Sequence, residues 1–205
     1  TGAVINFKTQ EPEFTHQPKP FGRINGGYET NGAILRTEGV MGIRTNNMQL
    51  AATGSYSKGH DYKDGNDSII PARFGRGSIG IQTDFKIRQK NLLSIAATRS
   101  FASKVDFPTL PMDLITDNSW MIQGEYKSKN ISKKITEWNT QLYTSFVDHL
   151  MGNNYRQEAG KSADAETAVN TKTIGMRTEM VLKTQLSELI FGLDTKHEEE
   201  DGNRV

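Results

Sequence analysis

The sequence has no cysteine and no long apolar run, and both absences narrow the choice of protein class. Without cysteine the chain holds no disulfide and no thiolate metal site. Its uninterrupted apolar stretches are a few residues long, as at 189–191, whereas a membrane-spanning helix needs roughly 20. We therefore expect no transmembrane helix.

The sequence also lacks an excess of charge of either sign, because its 25 Lys and Arg residues nearly balance its 24 Asp and Glu residues, for a net charge of +1. Domains that bind nucleic acid carry a basic patch or stripe. No dense run of Lys or Arg occurs, so we expect no nucleic-acid partner. Only 35% of the 205 residues are hydrophobic and 19 are glycine, which disfavours a helical bundle because glycine weakens helices.

The sequence does have strict alternation of apolar and polar residues, which is the period of a β-strand with two unlike faces. It is clearest over Gly77–Arg88, where Ile79, Ile81 and Ile87 share one parity while charged residues occupy the other. Segments of this kind predict nine strands: Phe21–Glu29, Leu35–Arg44, Met48–Tyr56, Gly77–Arg88, Leu92–Arg99, Trp120–Lys127, Glu137–Phe146, Thr173–Leu182 and a last one from Leu189.

The connections between these strands alternate in length. Short links are expected between some neighbours, whereas long polar ones are expected over Ser57–Arg76, Phe101–Asn118 and Val147–Asn170. Alternating short and long loops predict an all-β, antiparallel, up-and-down meander with one smooth end and one elaborated end.

Two classes of protein share this pattern: soluble β-domains and outer-membrane β-barrels. Charges at strand centres suit a wet lumen, and aromatic residues toward strand ends, such as Trp120 and Trp138, suit the girdles of a membrane barrel. Bacterial single-chain barrels have an even number of strands, so nine strands predict a piece of something larger. The start at Thr1, without a signal-like segment, also suggests a processed or truncated piece.

The polar parity supplies the side chains that we expect to face the lumen. They could meet a plug or line a substrate path, or they could simply neutralise one another across neighbouring strands. They are Arg36, Glu38, Arg44, Asp84, Lys86, Arg88, Glu125, Glu137, Arg177 and Glu179.

The long connection before Trp120 contains the candidates for substrate contact: Asp106, Met112, Asp113 and Asp117. Carboxylates and a thioether in an outward loop could touch a metal complex. The alternative is a loop packed by its own side chains.

Catalytic chemistry is not indicated. No Ser/His/Asp arrangement or His-Glu-x-x-His motif occurs, so we expect no enzyme, no cofactor and no resident metal. The four histidines stand in polar contexts without paired spacing and are expected to be solvated: His16, His60, His149 and His197.

The segment Gly2–Pro12 (GAVINFKTQEP) resembles the strand that ends the plug of TonB-dependent outer-membrane receptors. The segment 106–113 (DFPTLPMD), with Asp117 and Trp120 after it, is similar to a loop-and-strand motif in a subset of these receptors, some linked to metal or siderophore uptake. Residues 173–177 with 189–194 also resemble their mid-barrel hairpins.

The resemblance implies that residues 1–12 are the last strand of the plug, 13–20 a linker, and 21–205 the first part of a transmembrane barrel of about 22 strands. It implies a bacterial outer-membrane transporter that takes up an iron–siderophore or a similar scarce nutrient or metal complex. Its partners would be outer-membrane lipid, the metal–siderophore or nutrient ligand, and the TonB energy-coupling complex, the last through a segment not in this chain. A soluble all-β binding or structural domain with no transport role is the alternative.

Overall fold

The structure is a computed structural model, and it describes residues 11–154 and 164–204. These residues form eleven strands and no helix, so no helix that could cross a membrane is present among them. The strands are β1 (Lys19–Glu29), β2 (Ile34–Arg44), β3 (Met48–Gly59), β4 (Tyr62–Lys63), β5 (Ile69–Ile70), β6 (Phe74–Ile87), β7 (Asn91–Val105), β8 (Asp113–Lys129), β9 (Ile135–Gly152), β10 (Glu166–Lys183) and β11 (Glu188–Arg204).

Nine of these strands form one sheet in the order β1-β2-β3-β6-β7-β8-β9-β10-β11. Each strand is antiparallel to its neighbour. The remaining two, β4 and β5, form a small hairpin within the connection from β3 to β6. The all-β antiparallel meander of nine strands predicted from the alternation is therefore confirmed.

The strands are longer at the long-loop end than the alternation predicted. β8 begins at Asp113 rather than Trp120, and β9 continues to Gly152 rather than Phe146. The expected loops are correspondingly shorter. The physical reason is that both faces are polar in these extensions: Asn118 and Asp148 pair on the outer face, and Asp117 and His149 pair on the inner face. Strand pairing therefore continues where the alternation has ended.

The register separates an apolar outer face of the sheet from a polar inner face. Residues that are directly opposite on neighbouring strands point to the same face. One outer-face row runs through Ile81, Ala97, Ile122, Thr144 and Ile174. The inner-face row three residues further along β6 is polar from β2 to β10: Arg44, Gln49, Asp84, Ser94, Glu125, Gln141 and Arg177.

The outer face is covered by nothing among the described residues. Ile81, Leu142 and Ile174 are 52%, 58% and 56% exposed, and within the described ranges Leu114 is the sole buried hydrophobic residue. A water-soluble domain of this size would bury such side chains in a core. An exposed, continuous apolar face instead marks a surface that contacts another apolar phase.

Aromatic residues border this apolar surface at both ends. On β9, Trp138 stands near the short-turn end and Phe146 stands eight residues further on, with Leu142 midway. Eight residues of strand span about 26 Å, or about 20 Å across a membrane at a tilt near 40°. The apolar band therefore has close to the height of roughly 25 Å that a transmembrane barrel wall requires.

Two aromatic rings on the inner face lie over glycines of the neighbouring strand. Phe21 stands opposite Gly42, and Tyr143 stands opposite Gly175. A Cβ atom on either glycine would meet the ring across from it. The guanidinium of Arg44 stacks on the Phe21 ring, with its central carbon 4.1 Å from the centre of the ring.

Candidate functional site

The inner face holds nine of the ten charged residues that the sequence predicted for a lumen. Their shared face follows from the register, and they are Arg36, Glu38, Arg44, Asp84, Lys86, Glu125, Glu137, Arg177 and Glu179. The tenth, Arg88, lies beyond the end of β6 in a tight turn with a positive φ of 67°, so strand parity does not decide its direction and its lumen-facing position stays a prediction.

A polar row crosses the inner face near its short-turn end. Asp84 is fully buried there, and it accepts hydrogen bonds from the Ser94 hydroxyl at 2.6 Å and from the Gln82 amide at 3.1 Å. Further along, Asn139 donates to Glu125 at 2.6 Å. These bonds favour the reading that the inner charges are satisfied by their neighbours.

An extended segment, residues 11–15, crosses the inner face at its short-turn end. We call it the N-terminal strap. Glu13 forms an ion pair with Arg44 at 2.7 Å, and Lys86 lies 5.7 Å from the centre of the Phe14 ring. At the other end Glu11 contacts Lys129 at 2.9 Å. The strap thus reaches from β8 to β2.

The contact of the strap with β8 lowers the pKa of Glu11. A hydrogen bond from Lys129, together with its positive charge, holds the pKa of Glu11 below its ordinary value of 4.5. The expected linker, residues 13–20, is strand-free only to Pro18, since β1 begins at Lys19. Residues 1–10 of the expected plug strand lie outside the described ranges.

Two of the predicted substrate contacts, Asp106 and Asp113, instead stabilise the loops. The Arg73 guanidinium forms an ion pair with Asp106 at 2.8 Å, which raises the pKa of Arg73. Asp113 accepts a hydrogen bond from the backbone N–H of Phe107 at 2.8 Å. Both carboxylates therefore hold the connection between β7 and β8, which is the alternative reading of this loop. Met112 is the last residue of that connection.

Asp117 has a different environment from the other three candidates. It lies within β8 rather than in a loop, on the inner face, directly opposite His149 of β9. Its Oδ2 atom is 2.8 Å from Nδ1 of His149, and its Oδ1 atom accepts a hydrogen bond from the Ser119 hydroxyl at 3.0 Å.

The expectation that His149 is merely solvated is wrong. Its side chain is 34% exposed and that of Asp117 is 25% exposed, so the pair is half-buried. An ionised carboxylate can only accept hydrogen bonds, so Nδ1 carries the proton in this contact. The other ring nitrogen, Nε2, is then left with a free lone pair whenever the imidazole is neutral.

A thioether lies beside this imidazole on the same face. Met151 follows His149 by two residues in β9, so both side chains project from the inner face, with their Cα atoms about 6.6 Å apart. Asp117 also lines an inner-face cavity of about 550 Å³, together with Arg36 and Arg76. Asp117 thus joins the imidazole of His149 to an open cavity of the inner face.

The remaining histidines are exposed, as expected. His16 and His60 precede β1 and follow β3, and His197 stands on β11, 3.3 Å from Glu199. No group of three or more His, Asp or Glu side chains that could hold a metal ion occurs among residues 11–154 and 164–204. His149 and Met151 are therefore two potential donors on one face of β9, and Asp117 orients the first of them.

Comparison with protein-family models and with curated proteins gives no match. Among solved structures the chain is similar to the copper transporter OprC, with a TM-score of 0.83 at 16% identity. The match covers 95% of this chain but only 30% of OprC, so the chain spans about a third of that protein's length. At this identity the likeness shows the fold, which is that of an outer-membrane barrel wall. This fold agrees with the expected location in the bacterial outer membrane.

A weaker likeness is to OmpTdeltaL8, a loop L8 deletion mutant of OmpT, an outer membrane protein of Vibrio cholerae. It has a TM-score of 0.46 at 12% identity and covers 91% of this chain and 61% of that one. A similarity of that size carries no argument about function.

Proposed function

We propose that this chain is part of the wall of a bacterial outer-membrane transporter and that its cargo is a soft transition-metal ion, with copper as the first candidate. The observation that carries the proposal is the inner-face imidazole of His149, oriented by Asp117 and two residues from the thioether of Met151. We assign the chain no enzymatic activity.

The choice of cargo follows from the donor atoms. Imidazole suits copper, zinc, iron and nickel, whereas a thioether selects Cu(I) among the common ions. A histidine that binds a metal usually donates its other N–H to a carboxylate, which fixes the ring and raises its basicity. His149 has this second contact already. The printed name of OprC gives copper as the cargo of that protein, in line with these donors.

An iron–siderophore is the cargo that the resemblance implies. A siderophore brings its own iron ligands, so its receptor needs neither an imidazole nor a thioether. The predicted contacts Asp106 and Asp113 are already engaged: Asp106 pairs with Arg73 of the connection before β6, and Asp113 holds the backbone of its own loop at Phe107. The donors of β9 therefore favour a less protected metal ion.

The domain organisation belongs to the same proposal. Residues 1–12 would end a plug, 13–20 would link it to the wall, and 21–205 would begin a barrel of about 22 strands. The N-terminal strap supports this arrangement, because it places the chain that precedes β1 against the inner face. Outer-membrane lipid would cover the outer face, and TonB coupling would act through a segment outside this chain.

The experiment that tests the site is Cu(I) binding by the purified intact protein, measured by competition with a colorimetric Cu(I) chelator. His149→Ala and Met151→Leu should each weaken binding. Asp117→Asn should weaken it by about 10- to 100-fold, because the orienting contact is lost. His197→Ala and Met176→Leu are the matched controls, since both residues lie on the outer face.

The result that overturns the proposal is equal Cu(I) affinity in the wild type and in the three inner-face variants. Equal weakening by the outer-face controls would overturn it as well, because copper would then be bound nonspecifically. Binding of a ferric siderophore with no measurable copper binding would also overturn it and would identify an iron–siderophore as the cargo.

A further inference from the structure

The turns at the short-turn end of the sheet contain cations but no carboxylate. They are residues 45–47, 88–90, 130–134 and 184–187, and none of these positions is Asp or Glu. Two of the turns supply four cations: Arg88, Lys90, Lys133 and Lys134. These four residues, which we call the basic rim, give this end of the wall a positive charge.

The charge of the basic rim is not neutralised by the rest of the described chain. All four side chains are exposed, and Lys90 donates a hydrogen bond to the backbone carbonyl of Asn130 at 3.2 Å. Among residues 11–154 and 164–204, no carboxylate lies within salt-bridge distance of the rim. A neighbouring cation does have such a partner, since Lys129 contacts Glu11 at 2.9 Å. The rim can therefore attract an anion from outside the chain.

The depth of the basic rim matches that of lipid headgroups. Ile87 and Trp138 share one row of the outer face at the short-turn end of the apolar band. Arg88 follows Ile87 directly, and Lys134 lies four residues before Trp138, which is about 13 Å along a strand or about 10 Å across the membrane. Headgroups occupy about 5–8 Å beyond the hydrocarbon, and the long stems of these cations reach back toward it. The rim is therefore within reach of the headgroups.

The short turns also expose apolar side chains. Leu186 is 99% exposed in the last turn, and Ile131 is 45% exposed beside Lys133 and Lys134. Apolar side chains next to cations suit a membrane interface, where the apolar group enters the lipid and the charge stays at the headgroups. An acidic soluble protein would need only the cations. The composition of the turns therefore favours lipid as the partner.

The opposite edge of the outer face has the reverse charge. Asp148, Glu199 and Asp201 line a groove there. Lys172 lines the same groove, and it stands directly opposite Glu199. The wall is thus acidic toward the long loops and basic toward the short turns, so it favours an anionic lipid at one membrane surface only.

We propose that the basic rim binds anionic phospholipid in the membrane leaflet that contacts the short turns. Arg and Lys both form charge-assisted hydrogen bonds with phosphate, so Arg88 and the three lysines would contact the headgroup phosphates. A zwitterionic headgroup carries its own ammonium, which opposes this attraction, so a lipid with net negative charge is preferred. The proposal depends on the barrel-wall fold and not on the proposed copper cargo.

The test measures tryptophan quenching in the intact protein, reconstituted in phosphatidylcholine vesicles that contain a brominated lipid. Trp138 stands four residues from Lys134, and the signal that Trp138→Phe removes reports the lipid at this edge. Brominated phosphatidylglycerol should quench that signal more strongly than brominated phosphatidylcholine at equal mole fraction. Lys133→Gln/Lys134→Gln should lower this preference about fivefold. Salt at 1 M should lower it as well, because the Debye length shortens to about 3 Å.

The matched control is Lys58→Gln/Lys172→Gln, which removes the same charge from the long-loop end of the outer face and should leave the preference unchanged. Equal quenching by the two lipids in the wild type would overturn the proposal, and so would a preference that the rim variant retains in full. Binding of polyglutamate that the rim variant loses, without any lipid preference, would assign the rim to an acidic polypeptide instead. These outcomes are independent of copper binding at His149, near the other end of β9.

Discussion

Replacing Leu142 with arginine tests which face of the sheet contacts lipid. Leu142 is 58% exposed and lies four residues from Trp138 and four from Phe146. Four residues of a tilted strand correspond to about 10 Å across the membrane. The side chain at this position is therefore close to the middle of the apolar band, where an introduced charge is most costly.

The expected cost can be worked from this depth. Arg or Lys on the lipid face of a barrel costs about 2–4 kcal/mol at the midplane, which is about a 30- to 1000-fold loss in the folding equilibrium. The matched control is Gln141→Arg, one residue away on the inner face. Its neighbours across the strands are Glu125 and Arg177, whose effects oppose each other, so we expect a change below about 1 kcal/mol.

The assay is urea unfolding of the intact protein in lipid vesicles, followed by tryptophan fluorescence. The free energy of unfolding of Leu142→Arg should fall by the amount given above, while that of Gln141→Arg stays close to the wild type. Equal destabilisation of the two variants would refute the assignment of the faces. A larger loss for Gln141→Arg would reverse it.

Two further predictions concern packing and pH. Gly42→Ala should lower the free energy of unfolding by about 1–3 kcal/mol, because the new methyl meets the backbone carbonyl oxygen of Leu50 and the Phe21 ring, whereas a methyl at Gly27 meets nothing. Urea unfolding of both variants checks this. The pKa of Glu11 lies below its ordinary 4.5, so its contact with Lys129 stabilises the strap at neutral pH and is lost as pH falls through the lowered pKa. A fluorophore on the strap should report release in acid, and Glu11→Gln should abolish that step.

Much of the sheet could be predicted from the sequence because one face is apolar. Wherever the strands cross the apolar band, parity assigns each side chain to a face, as it does for Ile81 and Leu142. The same alternation separated the inner charges from the outer face. The extensions of β8 and β9 were missed because both of their faces are polar, which leaves cross-strand hydrogen bonding as their only regularity.

The pairing of Asp117 with His149 could not be predicted for the same reason. Both residues lie in strand extensions that the sequence analysis treated as loops, and 32 residues separate them along the chain. Only the register of β8 against β9 places them opposite each other. The spacing of His149 and Met151 was a usable signal, since an i, i+2 pair in a strand shares one face.

Copper accumulation by cells that produce the intact protein tests the proposed function most directly. Cells with the wild type should accumulate more copper than cells without the protein, and His149→Ala/Met151→Leu should remove most of that gain. His197→Ala/Met176→Leu should leave it unchanged. Copper accumulation that does not depend on the protein, or that the inner-face variant retains in full, would contradict a role for this wall in copper transport.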